Sequence, residues 1–179
     1  MYVKSLLPNL EAGLRLSLEV YFEELELYWK QEKRLLATLK NLMRKERYAT
    51  AYKLAQSLPG IAELTALRLV LELGEDFSRF SSGAKIAAFL GLGGTEYSSG
   101  DTQKRGGITK QGSRMIRSWL IESAWIAVAK DPAMREFYTR IRYNTGCRKK
   151  AVVAVARKLV TRLRSCIVNN VEYTFGVIE

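Results

Sequence analysis

A heptad seam constrains this chain more than any other feature. Over residues 10–43, apolar side chains fall at Leu14, Leu18, Tyr21, Leu25, Tyr28, Leu35, Leu39 and Leu42. The steps alternate between four and three, the period of a helix that buries one narrow stripe. No Gly or Pro interrupts the run from Leu14 to Met43, and Glu, Lys and Arg occupy many of the positions between the seam residues. One long helix is therefore expected. Glu32 occupies a seam position, where a polar side chain lowers stability and sets register. Two readings stay open: a coiled coil that joins copies of the chain, or an arm that packs back on its own chain. The first makes the protein a homodimer or higher homo-oligomer.

The remainder also reads as helical. Pro is scarce, with 3 in 179 residues, and no run looks long enough to build a sheet. A short helix is expected over 48–56, then the turn Leu58-Pro59-Gly60-Ile61, then a helix over 61–73 that stops at Gly74. Pro59 blocks helix continuation and Gly60 permits positive φ. Helix, turn and helix make a helix-hairpin-helix. In such a hairpin, backbone N–H groups at Gly60 and Ile61 can face a phosphate; the plainer alternative is a packing hairpin. Ala62 stands where that motif usually has a second glycine.

Further helices are expected over 82–92, from Ser113 to Asp131, over 133–143 and over 148–169. The second of these places Met115, Ile116, Trp119, Leu120, Ser123, Ala124 and Ala127 on one face. Asp131-Pro132 ends it and caps the next helix. The last helix has Val152, Val155, Leu159 and Leu163 as its apolar face, and Tyr173-Thr174-Phe175 follows as a short docking segment. The fold class is all-α. Residues 1–47 form a long helix of coiled-coil type. Residues 48–179 form a compact helical domain, with a hairpin at 48–74, a loop at 93–112 and basic helices over 113–170. Short extended pieces are expected around Tyr97 and Ile108.

Charge divides the chain. The net formal charge is +11. Residues 1–100 hold 13 Lys and Arg against 12 Asp and Glu, and residues 101–179 hold 16 against 6. Nearly all the excess lies in the second part, so a polyanion is the expected partner. No stretch reaches the apolar length of a membrane span, no leader-type apolar run follows Lys4, and a cytoplasmic, nucleoid-associated protein is expected.

The absence of His excludes Ser-His-Asp and Cys-His catalysis. Cys147 and Cys166 stand far apart without companions, which excludes a disulfide scaffold and a Cys-based zinc site. Beyond residue 100 carboxylates are few, too few in any evident spacing for a two-metal nuclease. Serine remains as a nucleophile type. Ser98 and Ser99 lie in a Gly-bounded stretch followed by Lys104, Arg105, Lys110, Arg114 and Arg117. A serine hydroxyl can attack a phosphodiester without His if cations stabilise the developing charge. The same composition also describes a solvated connector, and spacing does not choose between the two. Arg148, Lys149 and Lys150 add cations at the start of the last helix.

Several motifs in order resemble one family. They are Leu58-Pro59-Gly60-Ile61 with Thr65-Ala66, Ala88-Phe89-Leu90-Gly91-Leu92, Tyr97-Ser98-Ser99-Gly100, and Gly107-Ile108-Thr109-Lys110-Gln111-Gly112 before an Arg-bearing helix. Together they are similar to the C-terminal domain of the bridge-RNA-guided insertion-sequence transposases, which pair a RuvC-like DEDD domain with a serine domain. The long first helix resembles that family's coiled coil. The resemblance implies DNA transposition, with Ser99, directly before the glycine, as the catalytic serine that forms a 5′-phosphoserine intermediate. By motif position it implies phosphate or backbone contacts from Lys104, Arg105, Lys110 and Arg114. It implies a guide RNA as a further partner. The RuvC-like domain has no counterpart in this chain, so Mg²⁺ is expected only with that domain, and no metal site or other cofactor here. An alternative is a non-catalytic DNA- or RNA-binding module, or a truncated transposase remnant.

Overall fold

The computed structural model describes residues 5, 7–99 and 102–176. The chain divides into two units, Met1–Leu42 and Met43–Glu179.

The first unit is a 3-10 turn, Leu7–Asn9, and nearly all of helix α1, Ala12–Met43. At 1.5 Å rise per residue, these 32 residues reach about 48 Å. Two hydroxyls are absorbed by the helix itself: Ser17 donates to the Gly13 carbonyl and Thr38 to the Arg34 carbonyl, each at 3.0 Å. Most of the seam is exposed, while Leu18, Leu39 and Leu42 are half-buried. Leu14, Tyr21, Leu25, Tyr28 and Leu35 are each between 40% and 66% accessible.

The second unit contains helices α2 (Glu46–Ser57), α3 (Glu63–Leu73), α4 (Gly83–Phe89), α5 (Arg114–Lys130), α6 (Pro132–Thr145) and α7 (Arg148–Asn169). The last helix is the hub, packing against α2, α4, α5 and α6. Its expected apolar face, Val152, Val155, Leu159 and Leu163, is buried, joined by Ala151, Ala156, Val160 and Cys166. The two alanines let neighbouring helices approach α7 closely, while the branched residues fill the space between. The same core takes in Leu69 and Leu73 from α3, Ile86 from α4, Ile116 and Leu120 from α5, and Met134 from α6. On α5 the expected stripe is right at Ile116, Leu120, Ser123, Ala124 and Ala127, but Met115 is half exposed.

The region 93–112, expected as a loop with short extended pieces around Tyr97 and Ile108, is more regular than that. It contains an antiparallel hairpin of β1 (Gly94–Ser99) and β2 (Thr102–Ile108). The molecule is still an all-α protein with one small two-stranded sheet. Gly94 pairs with Ile108 and Glu96 with Arg105, so Gly106 and Gly107 together oppose Thr95. This is a β-bulge. The Thr95 hydroxyl fastens it by donating to the Gly107 carbonyl at 3.0 Å. A Cβ on Gly106 would lie 2.2 Å from that hydroxyl oxygen, so a side chain there would displace the Thr95 hydroxyl from this bond.

Among the described residues no helix is long and apolar enough to cross a membrane.

Candidate nucleic-acid interface

The hairpin is held at its foot. Helix α4 ends at Phe89, and the chain turns through Gly91 at φ +70°. The segment after β2 returns to this turn. Thr109 N–H donates to the Gly93 carbonyl at 2.9 Å, and Lys110 N–H to the Gly91 carbonyl at 3.2 Å. The backbones are too close for side chains. A Cβ on Gly91 would lie 1.8 Å from the Gln111 oxygen, and one on Gly112 would lie 2.3 Å from the Phe89 oxygen. Both glycines also have positive φ, so any other residue here costs strain as well as space.

Two arginines complete the clamp. Arg117 on α5 donates to the Leu90 carbonyl at 3.5 Å and to the Gln111 carbonyl at 3.3 Å, tying both sides of the foot. Arg157 on α7 donates to the Leu92 carbonyl from the core side. Burial holds the Arg157 guanidinium below its ordinary pKa range. The carbonyls at a helix end and the following turn have no intrahelical partner, so a guanidinium satisfies them while surrendering its own hydration.

The serine candidate sits on this support. Ser99 is the last residue of β1 and its backbone pairs with Thr102. Lys104 pairs with Tyr97 and Arg105 with Glu96, which puts both cations on the strand opposite the serines. The side chains of Ser98, Ser99, Lys104 and Arg105 lie outside the described residues, as do Gly100 and Asp101. Lys110 is exposed just beyond the strand, in left-handed backbone at φ +58°. Arg114, also exposed, opens α5 directly after Ser113, whose hydroxyl caps the helix by accepting from Ile116 N–H at 3.4 Å. Arg117 differs from these two cations because its guanidinium is spent on the foot.

The α2–α3 turn is less available to a phosphate than the sequence suggested. Ile61 is a core residue, 4% accessible, and its N–H donates to the Leu58 carbonyl at 3.2 Å. Gly60, at φ +81°, is pressed against α5. A Cβ there would lie 2.4 Å from the Ser123 carbonyl oxygen. Glu63 occupies the first turn of α3, the place where a helix favours an anion. The carboxylate answers the end of the helix that a phosphate would have answered.

Arg148, Lys149 and Lys150 lie together and exposed in the first turn of α7. Gly146, in left-handed conformation, turns the chain from α6 into α7. This corner is separate in sequence from the hairpin. The described contacts do not join the two into one site.

A polar junction that sequence spacing did not show lies behind α5 and α6. Asp131 has no accessible surface. It caps α6 as expected, accepting from Ala133 N–H at 2.9 Å, but it also accepts from Gly176 N–H at 3.2 Å and from the Tyr173 hydroxyl. Ser57 accepts from Tyr173 N–H at 2.9 Å. Burial and the adjacent Asp131 carboxylate push the Tyr173 phenol up from its ordinary range. The C-terminal segment is thereby fastened across the end of α2 and the α5–α6 corner. Tyr173-Thr174-Phe175 was legible as a docking segment, but its acceptor was not.

Residues 52–139 match the model of the Transposase IS116/IS110/IS902 family. The transposase of insertion sequence element IS1111A from Coxiella burnetii is 39% identical over 69 residues, covering 38% of this chain and 19% of that protein. A 43.6 kDa protein of insertion element IS110 from Streptomyces coelicolor is 30% identical over 107 residues, 60% of this chain and 26% of that protein. The pilin gene-inverting protein of Moraxella bovis is 31% identical over 110 residues, 60% of this chain and 34% of that protein. The chain thus spans between 19% and 34% of the length of these three relatives. Over residues 52–139, which hold the hairpin and the helix that clamps it, this chain is similar to the insertion-sequence transposases.

Proposed function

We propose that this chain is the serine-bearing, DNA-handling part of an insertion-sequence transposase, with Ser99 as nucleophile. The observation that carries the reading is the family match, which encloses the hairpin, its foot and α5 in one stretch. Ser99 Oγ would attack the phosphorus of a DNA phosphodiester. The bond to the 3′ oxygen breaks, the serine proton is lost, and the 3′ oxygen leaves as a hydroxyl. The product is a 5′-phosphoserine, which keeps the bond energy for rejoining to another 3′ end. Lys104, Arg105, Lys110 and Arg114 would offset charge on the phosphorane and on the flanking backbone. Arg117 and Arg157 would act through the foot as positioning residues. The α2–α3 hairpin would serve DNA binding mainly by packing, as a helix-hairpin-helix turned against α5.

Other parts of the reading concern partners. The exposed seam of α1 would pair with the same helix of a second copy, forming a coiled-coil dimer. Guide RNA and a RuvC-like acidic domain would complete the enzyme, in a cytoplasmic, nucleoid-associated assembly. Among the described residues no three His, Cys, Asp or Glu side chains group as a metal site. They do not fit Mg²⁺, which would belong to the acidic domain, and no step above is routed through it. A second reading is a DNA- or RNA-binding module without chemistry of its own, which the exposed cations Arg148, Lys149 and Lys150 would serve.

A duplex with 3′-bridging phosphorothiolates separates the two readings, because the sulfur leaves readily and religates poorly. With the acidic domain and guide RNA supplied, wild type and Ser98→Ala should give a covalent protein–DNA band on a denaturing gel. Ser99→Ala should give none while still binding the duplex. Equal bands from Ser99→Ala and wild type would sink the assignment.

A further inference from the structure

We infer that the α6–α7 corner is a binding surface for single-stranded nucleic acid, on which Tyr143 stacks an unpaired base while neighbouring cations meet the backbone phosphates. The inference deepens the proposed DNA-handling role and rests on it. Tyr143 is 89% accessible, more than any other large apolar or aromatic side chain among the described residues. It stands in the last turns of α6, just before the Gly146 turn. Burial does not explain an aromatic ring left this open. The α6 core contacts are made by Ala133, Met134 and Tyr138 instead.

The surroundings are cationic. Arg142, Arg148, Lys149 and Lys150 are exposed within nine residues of sequence, and no hydrogen bond or ion pair engages their side chains among the described residues. Residues 137–171 contain no Asp or Glu at all. The nearest carboxylate along α6 is Glu136, in the cleft of about 600 Å³ beside Thr139, Arg140 and Tyr143. Three cations in the first turn of α7, with no acidic residue there, oppose the helix dipole. They weaken the helix they stand on, so helix stability does not account for them. A phosphate backbone does.

An exposed aromatic distinguishes single strands from duplex. In a duplex the base faces are stacked on one another, and the ring meets only edges and phosphates. A single strand offers a free face, and one base on one aromatic side chain contributes about 1–3 kcal/mol by alanine substitution. The cations do not make this distinction, since they act on phosphates of either form.

The test measures binding of labelled oligo(dT), oligo(U) and a DNA duplex by fluorescence anisotropy at a fixed salt concentration. Tyr143→Ala should weaken single-strand binding by about 5- to 150-fold, the range that this stacking energy gives. Its duplex binding should stay within twofold. Tyr143→Phe and Tyr143→Trp should retain single-strand binding. Replacing Arg148, Lys149 and Lys150 together with Ala should weaken both forms. The ratio of oligo(dT) to oligo(U) affinity tells whether the strand is DNA or RNA, and a comparable loss on either supports the surface. Tyr143 packs on little, so unchanged circular dichroism melting shows that the variant is folded. Tyr143→Ala binding single strands as wild type does would overturn the inference, and so would Tyr143→Phe failing as badly as Tyr143→Ala. Wild type that binds duplex but no single strand overturns this inference alone. Wild type that binds neither overturns the DNA-handling role beneath it.

Discussion

The arginines at the foot of the hairpin and the cations at the α6–α7 corner contribute to the same positive excess but do different work. At the foot, Arg117 and Arg157 donate to the carbonyls of Leu90, Gln111 and Leu92. Elsewhere in the unit, Arg135 donates to the Val128 and Ala129 carbonyls at the end of α5, and Arg164 to the Phe80 carbonyl. These guanidiniums are internal fasteners. At the corner, Arg142, Arg148, Lys149 and Lys150 face solvent. Net charge alone cannot tell the two groups apart, because a guanidinium that satisfies a carbonyl counts the same as one free to meet a phosphate. The +11 of the chain therefore overstates the charge available to a polyanion.

The contrast can be tested by deletion. Arg157→Ala should destabilise the fold by about 1.5–3 kcal/mol, the range for a hydrogen bond to a charged group that leaves a buried carbonyl unpaired. Chemical denaturation reads this. Unchanged stability would move Arg157 from the fasteners to the free cations. Tyr173→Phe removes one of three donors to buried Asp131 and should cost about 1–2 kcal/mol in the same measurement. Tyr173 also shows that fastening is not confined to arginine. The corner should respond in the opposite way. Replacing Arg148, Lys149 and Lys150 with Ala should leave stability within about 0.5 kcal/mol. It should lower the slope of log affinity against log salt for duplex DNA by roughly 2 to 3, near 0.9 for each phosphate no longer neutralised. An unchanged slope would show that these cations meet no phosphate.

The sequence revealed the helices better than the connections between them. The heptad run of α1 and the stripe Val152, Val155, Leu159 and Leu163 of α7 were legible because each repeats one local preference over several turns. Of the hairpin, extended pieces around Tyr97 and Ile108 were legible, but their pairing was not. Its strands carry two adjacent serines and a Gly-Gly pair, and no alternation of apolar and polar residues marks them in the sequence. A two-stranded hairpin is marginal alone. This one depends on contacts between residues 89–93 and 109–117, which no local window contains. The Gly100-Asp101 step between Thr- and Tyr-bearing segments was the available turn signal. Arg117 was legible as a cation in a basic stretch, whereas its acceptors, Leu90 and Gln111, arise only from the tertiary approach of α4 and α5. Ile61 fell to the same limit. As part of a Pro-Gly-Ile turn it suggested a phosphate contact, and the fold uses it as core.

The central claim concerns one oxygen atom, Ser99 Oγ, and is tested most directly by locating the covalent bond. The adduct formed with phosphorothiolate DNA would be digested with nuclease and trypsin, and peptide 86–104 sequenced by mass spectrometry. A 5′-linked phosphodeoxynucleotide on Ser99 is expected. The same modification on Ser98, or on a residue outside this peptide, would contradict it.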